Sequence, residues 1–270
     1  MTLGFSAFAS SSSGNCYYIK SEKTSLLVDV GISASKIAGD LAALGDQPSS
    51  ISAVFLTHEH TDHVKSVSAF HKKAPQAWFI ASEGTAQHLE TRAAEAVREK
   101  LVTVSPENCD LMLGDILVHS FRLSHDAAEP MAYTFEREGK KIAIVTDTGC
   151  VTEEIYAAMK DADLLVLEAN HEENILLYGR YPYPVKRRIL SDVGHLSNVA
   201  AGNCLVRILQ DLSGKKVPRV FLAHLSRENN TPQQAFLTVR NVLEEADFYI
   251  GKDIYMDVLG PEQEPVLTEL

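Results

Sequence analysis

No stretch of this chain approaches the ~20 consecutive apolar residues that a membrane helix requires, so a helical membrane span is not expected. Basic excess is missing too. The 36 Asp and Glu outnumber the 25 Lys and Arg, for a net charge of −11, which argues against a surface that holds polyanions everywhere. Any nucleic-acid contact must then be local, at bound metal ions and a small basic patch. Cysteine is scarce and scattered: Cys16, Cys109, Cys150 and Cys204 form no C-x-x-C pair, which fits reduced thiols in a cytosol better than a disulfide framework. Three read as core filler, while Cys150, three residues after Asp147, could reach a metal. The opening Met1-Thr-Leu-Gly-Phe-Ser-Ala-Phe-Ala-Ser10 has neither a basic leader nor a sustained apolar region, so a cytoplasmic location is expected rather than export.

What is present is an ordinary globular composition, 45% hydrophobic and 23% charged, over 270 residues. We expect one domain spanning 1–270 with one large core. Five apolar, β-branched runs read as strands: Ser25 to Asp29, Ala53 to Thr57, Lys141 to Thr146, Leu164 to Glu168 and Arg219 to Ala223. Helical patterns lie between them over 33–44 behind a Ser33 cap, over 82–99, over 197–211, and over 232–245 after Thr231-Pro232. Arg137-Glu-Gly-Lys140 reads as a hairpin turn, and Ser10 to Asn15 as turn chemistry between strands. Residues 101–146 read as consecutive strands. The mixture predicts an α/β fold, two mixed sheets packed face to face with helices outside, an αββα sandwich. There is an internal echo, since Leu27-Val-Asp29-Val-Gly31 resembles Val145-Thr-Asp147-Thr-Gly149, and Val54-Phe-Leu-Thr-His58 resembles Val220-Phe-Leu-Ala-His224.

Each of the five strands ends in, or is followed at once by, Asp29, His58, Asp147, Glu168 or His224. Ionisable groups at every strand end are not core material, so the economical reading is a single site. His58 and His60 are two apart in an extended segment and project to the same side, where they can share one metal. Asp62 and His63 open the next helix and offer a carboxylate and an imidazole to a second. His125 would complete the first site, His224 the second, and Asp147 would bridge them. Five imidazoles and two carboxylates favour zinc, and the same set accepts manganese or iron, so two divalent ions are expected. Asp29 reads as holding the ligand loops through hydrogen bonds. His71, His88 and His119 are given no role, and His171 reads as a surface polar residue.

The segments His58-x-His60-x-Asp62-His63, Ser124-His125-Asp126, Thr146-Asp147-Thr-Gly149 and Ala223-His224-Leu-Ser226 resemble the ordered motifs of the metallo-β-lactamase superfamily, over nearly the whole chain. Ala9 to Cys16, Leu167-Glu168-Ala-Asn-His171 and Gly194-His195-Leu-Ser-Asn198 are similar to the YycJ/WalJ group, a resemblance that implies a 5′-to-3′ DNA exonuclease. Glu168 and His195 also match positions that tRNase Z enzymes use on phosphodiesters, although no flexible arm for gripping tRNA is evident. Ser13, Asn15 and Asn198 fall within these motifs and are carried over as substrate-binding candidates.

The implied mechanism uses a hydroxide bridging two metals, since metal binding lowers the pKa of water from about 15.7 toward ~7. Asp62 could orient it and take its proton, and His195, positioned by Glu168, would protonate the leaving alkoxide. Tyr178 to Arg188 interleaves rings with cations in an otherwise acidic chain, so Tyr181, Lys186, Arg187 and Arg188 are candidates for stacking on bases and meeting phosphates of DNA or RNA. The competing class is a small-molecule hydrolase acting on a lactone, thioester or cyclic phosphodiester, which the net charge favours. Non-catalytic metal or nucleotide binding is disfavoured by the complete ligand set.

Overall fold

The computed structural model describes residues 3–107 and 109–270. Its strands are β1 (Gly4–Ala9), β2 (Cys16–Lys20), β3 (Ser25–Val28), β4 (Ile51–Phe55), β5 (Trp78–Ala81), β6 (Leu101–Thr103), β7 (Cys109–Leu113), β8 (Ile116–Arg122), β9 (Met131–Arg137), β10 (Lys140–Val145), β11 (Leu164–Glu168), β12 (Arg219–Ala223), β13 (Tyr255–Val258) and β14 (Thr268–Glu269). They build two mixed β-sheets flanked by helices, the αββα arrangement that the strand and helix patterns predict. The chain divides into two compact units. One gathers the chain up to Arg122 with Ala127–Lys140 and Pro261–Leu270, and the other takes Leu123–Asp126 and Lys141–Gly260.

In the first unit the sheet order is β14-β1-β2-β3-β4-β5-β6, antiparallel as far as β3 and parallel from β3 to β6. Strands β7, β8 and β9 form an antiparallel meander. Helix Ala34–Ala43 starts where expected, with Ser33 accepting from the Lys36 N–H, and buries Ile37 and Leu41 against Leu27, Val54 and Phe79. The single helix expected over 82–99 is instead two, Glu83–His88 and Thr91–Val97. Leu89 and Glu90 take extended ψ values of 140° and 136°, and the break lets Leu89 turn into the core. Glu138 and Gly139 turn the chain after β9 with positive φ values of 51° and 77°, the geometry of a two-residue hairpin.

In the second unit β10, β11, β12 and β13 are parallel neighbours. Parallel strands covered on both faces read as continuous apolar runs, and Ile142 to Val145 and Leu164 to Leu167 are buried throughout. Helices Asn198–Leu212 and Pro232–Glu245 are capped by Ser197 and Thr231. They close on one another at Gly202, where an added Cβ would lie 2.8 Å from Cβ of Val242. The register matters for the site. Val145 pairs with Leu167 and Glu168 with Ala223, so Asp147, Glu168 and His224 emerge at the same carboxyl edge of the strands. Open parallel sheets present their ligands at that edge.

Candidate metal-ligand clusters

Within the first unit, β4 runs out into Thr57-His58-Glu59-His60, and His60 is the N-cap of a one-turn helix, Thr61–Val64, that carries Asp62 and His63. This local chain geometry gathers the donors. His58 Nε2 lies 3.1 Å from His60 Nδ1, the His58 and His63 rings are 4.1 Å apart, and His63 Nε2 is 3.5 Å from Asp62 Oδ2. The fully buried Asp29 fixes the arrangement from β3. Its carboxylate accepts from His63 Nδ1 at 2.7 Å and from the Thr57 N–H and hydroxyl at 2.9 Å each. His63 therefore keeps its proton on Nδ1 and turns Nε2 toward Asp62. Burial pushes the Asp29 carboxyl above its usual range, and the charge and bond of His63 with the Thr57 bonds offset part of that rise. Gly31 allows the motif to approach, since a Cβ there would sit 1.6 Å from the Asp62 carbonyl oxygen.

Asn15 and Asn198, substrate-binding candidates from the sequence, are both fully buried. Asn15 is fully buried, with Nδ2 3.1 Å from His63 Nε2 and donating to the Ser11 carbonyl, while Oδ1 accepts from the Ser11 N–H. It ties the serine turn to the histidine motif. Ser13 is exposed, its hydroxyl 2.7 Å from that of Ser11.

Within the second unit, donor atoms of Asp147, Glu168, His195 and His224 lie within 4.8 Å of one another. Glu168, fully buried, is the organiser. Oε1 accepts from Nδ1 of His195 at 2.8 Å and Nδ1 of His224 at 3.0 Å, while Oε2 accepts from the backbone N–H of Thr148 at 2.9 Å and Leu196 at 3.3 Å. Burial raises the Glu168 pKa, yet the charge and bond of His195 outweigh it and hold the carboxyl below its usual range. For His195 the balance also favours the charged form. Burial lowers its pKa, but Glu168 and then Asp147 raise it above the ordinary histidine value. Asp147 Oδ1 is 3.4 Å from His224 Nε2 and 3.8 Å from His125 Nε2. His125 donates Nδ1–H to the Gly194 carbonyl at 3.1 Å, and burial shifts its pKa down. Buried imidazole nitrogens and carboxylate oxygens gathered this closely are the donor chemistry of a divalent transition ion, so the residues fit such a cofactor. Cys150 belongs to none of the donor groups among the described residues.

The second half of the basic segment forms helix Tyr183–Ile189, and two of that helix's three cations are engaged. Lys186 donates to the carbonyls of Leu177 and Gly179, both at 2.8 Å, closing the end of helix Glu173–Tyr178. Arg188 forks onto Asp126, with Nη2 2.9 Å from Oδ1, and Asp126 in turn lies 3.5 Å from His125 Nε2. Arg187 is exposed and Tyr181 half-buried, and the rings that reach solvent most fully are Tyr178 and Tyr183, 86% and 72% exposed.

His171, expected at the surface, is buried at 1% exposure, and that burial takes its pKa down to about 4. Asn170, inside the Leu167 to His171 motif but given no role, and Asn230, not singled out at all, are structural partners here. Asn170 Nδ2 donates to the His224 carbonyl at 2.9 Å, and Asn230 Nδ2 donates to the Ala169 carbonyl and to Asn198 Oδ1, both at 2.9 Å. These amides stitch the segment after β11 to the start of helix Asn198–Leu212, which is why Asn198 is buried. Asparagines after strand ends carry no periodicity, so only the folded pairing reveals them.

Fold and donor clusters together define a class: a family model described as the beta-lactamase superfamily domain matches residues 24–225, and the chain belongs to the metallo-β-lactamase superfamily, in its YycJ/WalJ group. It is 36% identical over 267 residues to the exodeoxyribonuclease WalJ of Streptococcus pneumoniae, covering 98% of this chain and 97% of the relative. It is likewise 36% identical over 252 residues to the exodeoxyribonuclease YycJ of Bacillus anthracis, covering 93% of each. Among solved structures, the metallo-β-lactamase fold protein YhfI from Bacillus subtilis matches with a TM-score of 0.70 over 100% of both chains at 17% identity, which shows a shared fold.

Proposed function

We propose that this protein is a metal-dependent exodeoxyribonuclease that removes nucleotides from the 5′ end of DNA, its residues 1–270 working as one metallo-β-lactamase-like domain in the cytoplasm. The observation that carries this reading is the alignment, over nearly its full length, with two exodeoxyribonucleases. Among the described residues no helix is long and apolar enough to cross a membrane. The residues we propose as donors to two divalent ions, of zinc, manganese or iron, are His58, His60, Asp62, His63, His125, Asp147 and His224. When bound, such ions supply Lewis acidity and activate water at neutral pH.

The chain's own side chains account for the rest of the chemistry. Asp29 and Asn15 hold His63 in one orientation, so its Nε2 is presented without reorganisation at the moment of reaction. Glu168 clamps Nδ1 of His195 and so leaves the opposite ring nitrogen, Nε2, to hand a proton to the departing sugar oxygen. A sugar alkoxide is strongly basic, so a phosphodiesterase gains from an acid whose charged form is favoured by its surroundings, as Glu168 and Asp147 favour that of His195 against burial, whereas lactone hydrolysis has less need of it. Asp62, 23% exposed beside His63, is positioned to accept the proton of the attacking water.

The test is metal analysis of the purified protein followed by parallel assays on end-labelled DNA, end-labelled RNA, a nitrophenyl phosphodiester and a lactone. We expect chelator-sensitive release of mononucleotides from the 5′ end of DNA. Faster hydrolysis of RNA or of the lactone than of DNA would overturn the assignment.

A further inference from the structure

Helices Val67–His71 and Thr91–Val97 of the first unit border a groove of about 490 Å³ lined by Lys65, Lys72, Lys73, Glu90 and Arg92 together with small residues. Four of the five charged residues are basic, in a chain where acids outnumber bases by 36 to 25. All four cations are exposed, and among the described residues none is in a salt bridge. Helix dipoles explain part of this, since Lys65 and Lys72 sit at the C-caps of their helices, where a cation is favoured. They do not explain Arg92, which lies in the first turn of its helix, where the dipole opposes a cation. Four exposed cations without a salt-bridge partner among the described residues thus face one groove, an arrangement complementary to an anion that could span them. Lys65 is only two residues beyond His63, so the groove begins where the histidine motif ends.

We propose that this groove binds the phosphate backbone of the DNA strand being degraded, an inference that rests on the nuclease reading above. A strand offers regularly spaced phosphates, and ammonium and guanidinium groups meet them with release of counterions. The groove thus supplies a local cationic surface that the net charge of the chain withholds elsewhere, and it takes the role that the engaged Lys186 and Arg188 leave open.

Two measurements test it. First, Lys65, Lys72, Lys73 and Arg92 are changed together to Ala, and binding of a cleavage-resistant phosphorothioate single strand is followed by fluorescence anisotropy across a salt series, with metal content and melting temperature confirming an intact fold. Affinity should fall about tenfold or more and the salt slope should shrink by about 3, at ~0.7 per lost phosphate contact on a single strand. Second, lysine acetylation of the unaltered protein is mapped by mass spectrometry with and without that strand. Lys65, Lys72 and Lys73 should be protected while Lys23 and Lys215 react equally in both. If the protein cleaves DNA yet slope and acetylation are unchanged, the groove assignment falls and the nuclease reading stands. If the protein neither binds nor cleaves DNA, both fall. Loss of binding to phosphatidylglycerol vesicles with DNA binding intact would also overturn it, assigning the groove to a membrane surface.

Discussion

Replacing Glu168 with Gln tests the centre of the second unit with one atom. The carboxylate accepts four hydrogen bonds, two from imidazoles on Oε1 and two from backbone amides on Oε2. An amide can satisfy only one of these faces as an acceptor. If its oxygen faces Thr148 and Leu196, its NH₂ faces the imidazoles, which must move their protons to Nε2. A hydrogen bond to a charged group contributes about 1.5–3 kcal/mol, so losing the one that orients His195 should slow DNA hydrolysis by about 10- to 10²-fold at neutral pH. The pH dependence carries the sharper signature. Glu168 is the main group raising the His195 pKa, so in Glu168→Gln burial dominates and that pKa falls. The alkaline limb of the rate profile, where His195 loses its proton, should therefore move to lower pH.

Stability of the metal-free protein gives a second readout with the same sign logic. His195 has a raised folded pKa, so its contribution is complete below about 6.5 and is lost as pH rises through the folded value. Glu168 has a lowered folded pKa, so its contribution is present above about 4.3 and is lost as pH falls. The difference between native and Glu168→Gln protein should be about 3–5 kcal/mol by urea unfolding between roughly pH 5 and 7, and should narrow on both sides. An alkaline limb that does not move, or a stability difference independent of pH, would refute the assignment of Glu168 as the group that charges and orients His195.

Three further outcomes are expected. His195→Ala should retain metal and lose roughly 10²- to 10⁴-fold in DNA hydrolysis, but much less on a nitrophenyl diester whose leaving group needs little protonation; equal loss on both would make the residue structural. Asp147→Asn should lower metal content at both sites while leaving the melting temperature of the chelated protein near native, because Asn tolerates the positive φ of 61° at that position; full metal occupancy would remove it from the ligand set. Asp46→Asn should destabilise the protein by about 2 kcal/mol at pH 7, since Ser50, Tyr18 and Lys20 donate to that carboxylate and hold its pKa below the usual range despite burial. That difference should vanish as pH falls through the depressed pKa, and a constant difference down to pH ~2 would contradict it.

The parts of this protein legible in the sequence are those where the cause is local. His58, His60, Asp62 and His63 fall within six positions, and caps at Ser33, Ser197 and Thr231 announce their helices within three residues. What was illegible depends on partners far along the chain. Arg188 is committed to Asp126, 62 residues away, and Asn230 to Ala169, 61 away, so neither its charge nor its amide could be assigned from neighbours. The groove between Lys65 and Arg92 exists only once two short helices pack. The internal echo lies between these cases. Asp29 and Asp147 take φ values of 60° and 61°, and each is followed two residues later by a glycine, Gly31 or Gly149, whose Cβ would overlap the backbone of Asp62 or Asp192. A left-handed residue costs about 1–2 kcal/mol unless glycine or a short polar side chain occupies it, so Asp suits the position in both halves. The repeated letters therefore mark a repeated backbone device, a strand end that turns sharply to aim a carboxylate inward and then passes close under a neighbouring loop. The two copies have diverged in use, since the first carboxylate secures His63 and the second sits within donor distance of His224 and His125.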